Sequence, residues 1–143
     1  MILALLWRNT GQRLEQLEKI AEADHPLREI WRQAGSATRA ALLLEFMALA
    51  NHRKSIQDEI GRWIERLRVA QLDAVTATWD RYGLDREDLT PSALLFMMNA
   101  IPRMMRLEES FGIRTGHADT VQIIERFLDR IEPLPPTNDH LAV

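Results

Sequence analysis

The sequence contains no cysteine among its 143 residues. This absence excludes disulfide bonds, zinc sites built on thiolates and a cysteine nucleophile. An excess of basic residues is also missing, because 18 lysines and arginines stand against 21 acidic residues and the formal net charge is -3. Tight binding to nucleic-acid phosphates needs a concentrated basic face. The chain is therefore not expected to bind DNA strongly by itself.

Long apolar runs are missing as well. The apolar stretch 2–7 is too short to cross a membrane, and it lacks the basic lead-in and the small-residue cleavage site of a signal peptide. We therefore expect a cytoplasmic protein without a membrane partner.

The residue patterns of common catalytic and metal sites are absent too. None of the four histidines has another histidine three or four residues away, and no His-Glu-x-x-His motif, glycine-rich phosphate loop or Gly-x-Ser-x-Gly elbow occurs. Glu108 and Glu109 are neighbouring carboxylates, but adjacent helical residues point about 100 degrees apart and do not share a site. The sequence therefore predicts neither an enzyme nor a metal-binding or cofactor-binding protein.

What the sequence does contain is helical periodicity, most clearly between Asn51 and Gly83. This stretch has no proline, and its apolar residues recur at intervals of three and four, the spacing of one helix face. That stripe comprises Ile56, Ile60, Trp63, Ile64, Leu67, Ala70, Ala74 and Ala77. A second stripe of Leu72, Val75 and Trp79 begins in the far half. We therefore expect a central helix with neighbours on two sides.

The same spacing, together with turn signals, divides the chain into six helices with no strand pattern. The helices are expected to begin near Leu3, Pro26, Thr38, Asn51, Pro91 and Thr115. A chain of this length is enough for one core, and Pro133 stops the last helix. The fold class is therefore all-α, with residues 1–134 forming one domain and residues 135–143 a loose tail.

Several helix ends carry typical capping residues. Gly83 is typical of a glycine that stops a helix. Thr90 is expected to cap the helix that opens with Pro91. Ser55, with Asp58 three residues later, resembles a capping box for the central helix.

Two helices carry more apolar surface than one neighbour covers. The helix from Thr38 to Asn51 is apolar nearly all the way round, so we expect it to be buried on several sides. Its one interior charge, Glu45, either points to solvent or pairs with an arginine, or it contacts a ligand. The helix after Pro91 has two apolar lines, one expected to face the core and the other to need a partner. These lines are Leu94, Met98, Ile101 and Met105, and Phe96, Ala100, Met104, Leu107 and Phe111.

Parts of the chain resemble the regulatory domain of TetR-type transcription regulators. The matching segments are Leu-Glu-Phe-Met-Ala-Leu-Ala-Asn-His-Arg-Lys at 44–54 and Arg-Leu-Glu-Glu-Ser-Phe-Gly at 106–112, with Thr-Gly-His-Ala at 115–118. The opening residues 3–8 are similar to the helix that follows the DNA-reading unit in that family, and the likeness covers residues 2–134. The resemblance implies a six-helix bundle that binds a small molecule among its helices. It also implies that operator DNA is contacted only through an N-terminal helix-turn-helix, which this sequence lacks.

The resemblance further implies an effector site between the helices, apolar with a few placed polar groups. The residues expected to line it are Trp31, Phe46, Met47, Trp63, Leu67, Met97, Asn99 and Met104. For each of them, packing in the core is the alternative. Asn99 is the first choice for ligand contact because it is polar on a mostly apolar helix. The effector is expected to be a small apolar or aromatic molecule.

The last two helices are expected to form a four-helix bundle with their symmetry mates in a homodimer. The interface residues expected from their spacing are Ile101, Met105, Val121, Ile124, Phe127, Leu128 and Ile131. Together these expectations describe the effector-sensing and dimerisation domain of a TetR-like regulator. The alternative is a stand-alone helical interaction protein that pairs with the dimer surface of a regulator.

Overall fold

The computed structural model describes residue 15 and residues 17–137, and all regular secondary structure in that part of the chain is helical. This confirms the predicted all-α class. A helical segment at residues 17–21 is followed by five further helices. They are α1 (Pro26–Ala34), α2 (Ala37–Ala50), α3 (Lys54–Tyr82), α4 (Pro91–Glu109) and α5 (His117–Ile131). The predicted helix start at Leu3 and the last residues of the predicted tail lie outside the described residues.

Most predicted helix ends are found where the local chemistry requires them. Pro26 occupies the first turn of α1, where its missing N–H costs nothing. Gly83 ends α3 in the left-handed region with φ 64°. The Thr90 hydroxyl accepts a hydrogen bond from the Ala93 amide at 3.2 Å and so caps α4.

The capping box predicted at Ser55 and Asp58 is wrong. With Ser55 as its cap, the helix would begin at Ile56. It begins two residues earlier, at Lys54, with Arg53 in the cap position, and no described side chain caps its first turn. Because Ser55 already lies inside the helix, its hydroxyl cannot take the cap position.

The core consists of two clusters that α3 connects. The main cluster is built from the helical segment 17–21, α1, the far half of α3, α4 and α5, with Leu27, Ile30, Trp79 and Met98 at its centre. The second cluster joins α2 to the near half of α3 through Phe46, Ala50, Ile56 and Ile60.

The prediction that α3 is the central helix is supported by its packing against α1, α2 and α4. Its buried side changes along its length. Ile56 and Ile60 of the first stripe are buried in the near half, whereas Val75 and Trp79 of the second stripe are buried in the far half. Ala77, at the end of the first stripe, is exposed.

The expectation that α2 is buried on several sides holds only in part. The helix packs against α1, α3 and α4 and buries Leu43 and Phe46, whereas Met47 and Leu49 are exposed. The three residues between α2 and α3 form a tight connection, which lays α2 along the near half of α3. Glu45 also points to solvent.

A buried carboxylate ties the end of the fold to its beginning. Glu132, directly after α5, accepts hydrogen bonds from the amides of Leu27 at 3.1 Å and Arg28 at 2.8 Å, at the first turn of α1. The Tyr82 hydroxyl at the end of α3 donates to the same carboxylate. Burial, and next the hydrogen bond to this carboxylate, raise the pKa of Tyr82 above its ordinary value. Glu132 thus caps a helix 105 residues away in the chain.

Two further polar contacts fix α4 against its neighbours. The Arg106 guanidinium donates from Nε and Nη2 to the Gly35 carbonyl oxygen at 3.0 and 2.9 Å, which satisfies a carbonyl at the end of α1. His117 Nε2 lies 2.7 Å from Glu108 Oε2 and connects the end of α4 to the start of α5.

None of the helices in the described ranges combines the length and the apolar composition that a membrane crossing requires.

Candidate functional site

A cleft of about 440 Å³ opens where α1, α2, α3 and α4 meet. Its volume falls within the usual range of small-molecule sites. α1, α2 and α3 contribute polar and apolar side chains, and α4 contributes two polar ones. The lining includes Gln33, Ser36, Thr38, Arg39, Leu42, Trp63, Leu67, Gln71, Asn99 and Arg103, with Glu15 and Lys19 from before α1. The cleft is therefore amphipathic.

The polar centre of the cleft is a pair of buried amides. Gln71 of α3 is 3% exposed and Asn99 of α4 is 2% exposed. Asn99 Nδ2 donates to Gln71 Oε1 and to the Leu95 carbonyl oxygen, both at 3.0 Å. Among the described residues, the buried side-chain polar atom without a hydrogen-bond partner is Trp79 Nε1, so Gln71 Nε2 is not an orphaned donor. The pair lines the cleft with amide groups.

Two arginines add positive charge to the same cleft. Burial, and next the nearby Arg32 cation, lower the pKa of Arg39. Burial, and next the Arg68 cation, likewise lower the pKa of Arg103. Among the described residues, the ion pairs involve neither Arg39 nor Arg103. The polar contact of Arg103 is a long one, 3.4 Å from its Nη2 to Asn99 Oδ1.

Three of the residues predicted to contact an effector line this cleft, namely Trp63, Leu67 and Asn99. Trp31 lies instead at a recess between α1, α4 and α5. Phe46 is buried in the second cluster. Met47, Met97 and Met104 are exposed side chains outside the cleft. The structure thus brings together Trp63, Leu67 and Asn99 and separates them from the other five.

Asn99 is the one polar residue of the cleft that was predicted, and two of the others, Gln71 and Arg103, had a signal in the sequence. Gln71 interrupts the apolar stripe of α3 four residues after Leu67. A polar residue on a buried face indicates a hydrogen-bonded contact, because a buried polar group without a partner costs free energy. Arg103 follows Asn99 by four residues and so lies on the same side of α4. Arg39 carries no such signal, since a single arginine near a helix start is common.

The residues predicted for a dimer interface are at least half-buried within one chain. Leu128 and Ile131 belong to the main cluster, and Ile124 and Phe127 pack against it. Ile101, Met105 and Val121 are half-buried, and the last two face the recess that contains Trp31.

The second apolar line of α4 lies on the surface. Phe96 is 58% exposed, Met104 55% and Phe111, just after the helix, 75%, with half-buried Ala100 and Leu107 between them. We call these five residues the outward line of α4. The first line faces the core through Leu94 and Met98, as expected. On α5 the corresponding exposed apolar residue is Ile123, among polar neighbours.

The chemistry that the cleft supports is binding. It offers guanidinium and amide donors next to an indole ring and leucine side chains. No group of three or more histidine or acidic side chains that could hold a metal ion occurs in the described ranges.

Comparison with known proteins finds no family model, no curated protein and no solved structure that matches this chain.

Proposed function

We propose that this chain is the effector-sensing and dimerisation domain of a TetR-like transcription regulator. The proposal joins the resemblance in segments 44–54 and 106–118 to an all-helical fold with an amphipathic cleft of about 440 Å³. In the parent regulator, operator DNA is contacted by a helix-turn-helix outside this sequence.

One observation carries the proposal: a single helix belongs to both the cleft and an exposed apolar surface. α4 contributes Asn99 and Arg103 to the cleft, and on another side it presents the outward line of Phe96, Met104 and Phe111. A ligand that shifts α4 therefore also shifts the surface at which a second copy binds. Such a ligand acts by favouring one of two helix arrangements.

The dimer is proposed to form through α4 and α5 of two copies, packed as a four-helix bundle. Most of the apolar surface comes from the outward line of α4, and Ile123 of α5 adds to it. Apolar patches of this kind on a small protein mark interaction sites. A symmetric pairing would cover the same line on both subunits.

Sedimentation velocity tests the dimer. We expect the wild type to sediment as a dimer at micromolar concentration and Met104→Glu to sediment as a monomer, because the new charge lies in the centre of the outward line. Gln57→Glu adds the same charge at an exposed polar position of α3, outside α4 and α5, and should leave the dimer intact. A monomeric wild type, or equal effects of the two variants, contradicts the proposed dimer.

Thermal-shift measurements with small aromatic and aliphatic compounds test the sensing role. A compound that binds the folded chain raises its melting temperature by mass action. We expect the shift to disappear in Leu67→Arg, which fills the cleft, and to persist in Val69→Arg, whose exposed position lies outside it. A shift that survives Leu67→Arg places binding elsewhere and contradicts the sensing role of the cleft.

The outward line of α4 also suits the second candidate, a stand-alone interaction protein that pairs with a regulator's dimer surface. This candidate predicts a chain that responds to no compound in the cleft and forms a heterodimer with a full-length regulator. The thermal-shift measurements therefore separate the two candidates.

A further inference from the structure

We propose that the cleft binds a small organic anion, with a carboxylate held by Arg39 and Arg103 and an apolar or aromatic body against Trp63 and Leu67. This inference rests on the proposed sensing function and specifies the chemical class of the effector.

The charge balance of the cleft favours an anion. Three cationic side chains, Lys19, Arg39 and Arg103, line it together with one carboxylate, Glu15. Buried or half-buried arginines in proteins normally pair with an acid. Within the described residues, neither cleft arginine does so. An anionic ligand would supply the missing partner.

The pKa shifts of the two arginines have the same direction. Burial is the first cause that lowers the pKa of both Arg39 and Arg103, and a neighbouring cation is the second; the Glu29 carboxylate offsets only part of this at Arg39. Arginine stays protonated at neutral pH all the same. Each guanidinium is therefore held as a cation in surroundings that disfavour it, and a bound carboxylate would reverse that penalty.

Uncharged polar groups in the cleft also suit an anion. Gln71 and Asn99 line it with amide groups and are 3% and 2% exposed. The first turn of α2 also opens at the cleft, since Ser36 and Thr38 line it and no described side chain caps that turn. The amides of a helix's first turn are free donors that favour an anion. These donors and the two arginines all suit an acceptor with negative charge.

The apolar part of the ligand follows from the remaining walls. Trp63 and Leu67 from α3 and Leu42 from α2 line the same space. A volume of about 440 Å³ is larger than an inorganic anion requires and suits a ligand of drug-like or metabolite size. The ligand is therefore amphipathic, like the cleft.

Matched pairs of compounds test the inference. Phenylacetate is compared with phenylacetamide, and octanoate with octanamide, at equal concentration and ionic strength, by calorimetry and by melting temperature. We expect each carboxylate to bind more tightly than its amide. Arg103→Gln should weaken carboxylate binding roughly tenfold, which corresponds to one lost charge-assisted hydrogen bond. Arg39→Gln should act in the same direction.

Arg62→Gln is the control variant, because it removes the same charge from an exposed position of α3 outside the cleft. It should leave the affinity unchanged. The salt dependence of the wild type provides a measurement that needs no variant: added sodium chloride should weaken binding of the carboxylates and leave the amides unaffected.

The outcomes separate this inference from the function on which it rests. If the amides bind as tightly as the carboxylates, the inference that the ligand is an anion is wrong, and the proposed sensing function stands. If Arg62→Gln weakens binding as much as Arg103→Gln, the site is not the one inferred. If none of the four compounds binds, both proposals are overturned. If inorganic phosphate stabilises the chain as much as the carboxylates do, the inference that the ligand has an apolar part is wrong.

Discussion

Removing the Glu132 carboxylate should destabilise the fold more than any other single loss of charge described above. In Glu132→Ala, the amides of Leu27 and Arg28 and the Tyr82 hydroxyl lose their common acceptor. A buried donor left without a partner costs about 1–3 kcal/mol. The Arg28 amide is only partly buried, so water can replace part of its bond. We therefore expect a loss of roughly 3–5 kcal/mol, a large share of the stability of an ordinary domain.

Urea unfolding followed by tryptophan fluorescence measures this loss, because Trp79 packs edge-on against Tyr82 with ring centroids 5.8 Å apart. Glu132→Gln keeps the shape and one acceptor oxygen, so it should cost roughly half as much. Asp129→Ala is the matched control, since it removes a nearby carboxylate that is 68% exposed and pairs with Arg28. It should cost less than about 1 kcal/mol. If the free energy of unfolding of Glu132→Ala lies within about 1 kcal/mol of the wild-type value, Glu132 is not the cap that the geometry indicates.

Two further predictions concern single side chains. The raised pKa of Tyr82 contributes to the free energy of unfolding, and this contribution is fully present below pH 10.0, the ordinary pKa of tyrosine. It is lost as the pH rises above that value, because Tyr82 of the unfolded chain then ionises first. Since Tyr82 is the only tyrosine, phenolate absorbance reports its titration directly, and titration of the folded chain at the ordinary pKa would refute the buried contact with Glu132. Thr90→Ala should cost about 1 kcal/mol in urea unfolding, because the Ala93 amide loses its acceptor, while Thr90→Ser should remain close to the wild type. Equal costs for the two Thr90 variants would mean that the hydroxyl is not the cap.

The features that the sequence predicts well are those set by a few adjacent residues. Gly83 ends α3 with a positive φ, and Thr90 with Pro91 opens α4, because each of these choices depends on the local backbone alone. The error at Ser55 is also local: a capping pattern is present, but the helix starts at Lys54, two residues before the start that a cap at Ser55 would give.

The features that the sequence does not reveal depend on contacts between distant segments. Glu132 follows the last helix next to a proline and resembles any charged residue at a helix end, and only the fold brings it to the amides of Leu27 and Arg28. Periodicity also cannot say which of two apolar stripes faces the core, so Val75 and Trp79 proved to be more buried than Ala77. The positive charge of the cleft could not be predicted either, because Arg39 and Arg103 come from helices that are not adjacent in the chain.

The division of the core into two clusters has a consequence for how the molecule opens. The second cluster rests on α2 and the near half of α3, so it contains far fewer buried side chains than the main cluster. Parts of a protein with fewer buried contacts exchange their amide hydrogens through local opening, which requires less free energy than global unfolding. The cleft lies at the seam, with Leu42 from one unit and Asn99 from the other. A ligand in the cleft contacts both parts, so it should reduce the local opening of α2, and slower hydrogen exchange in α2 would report its binding.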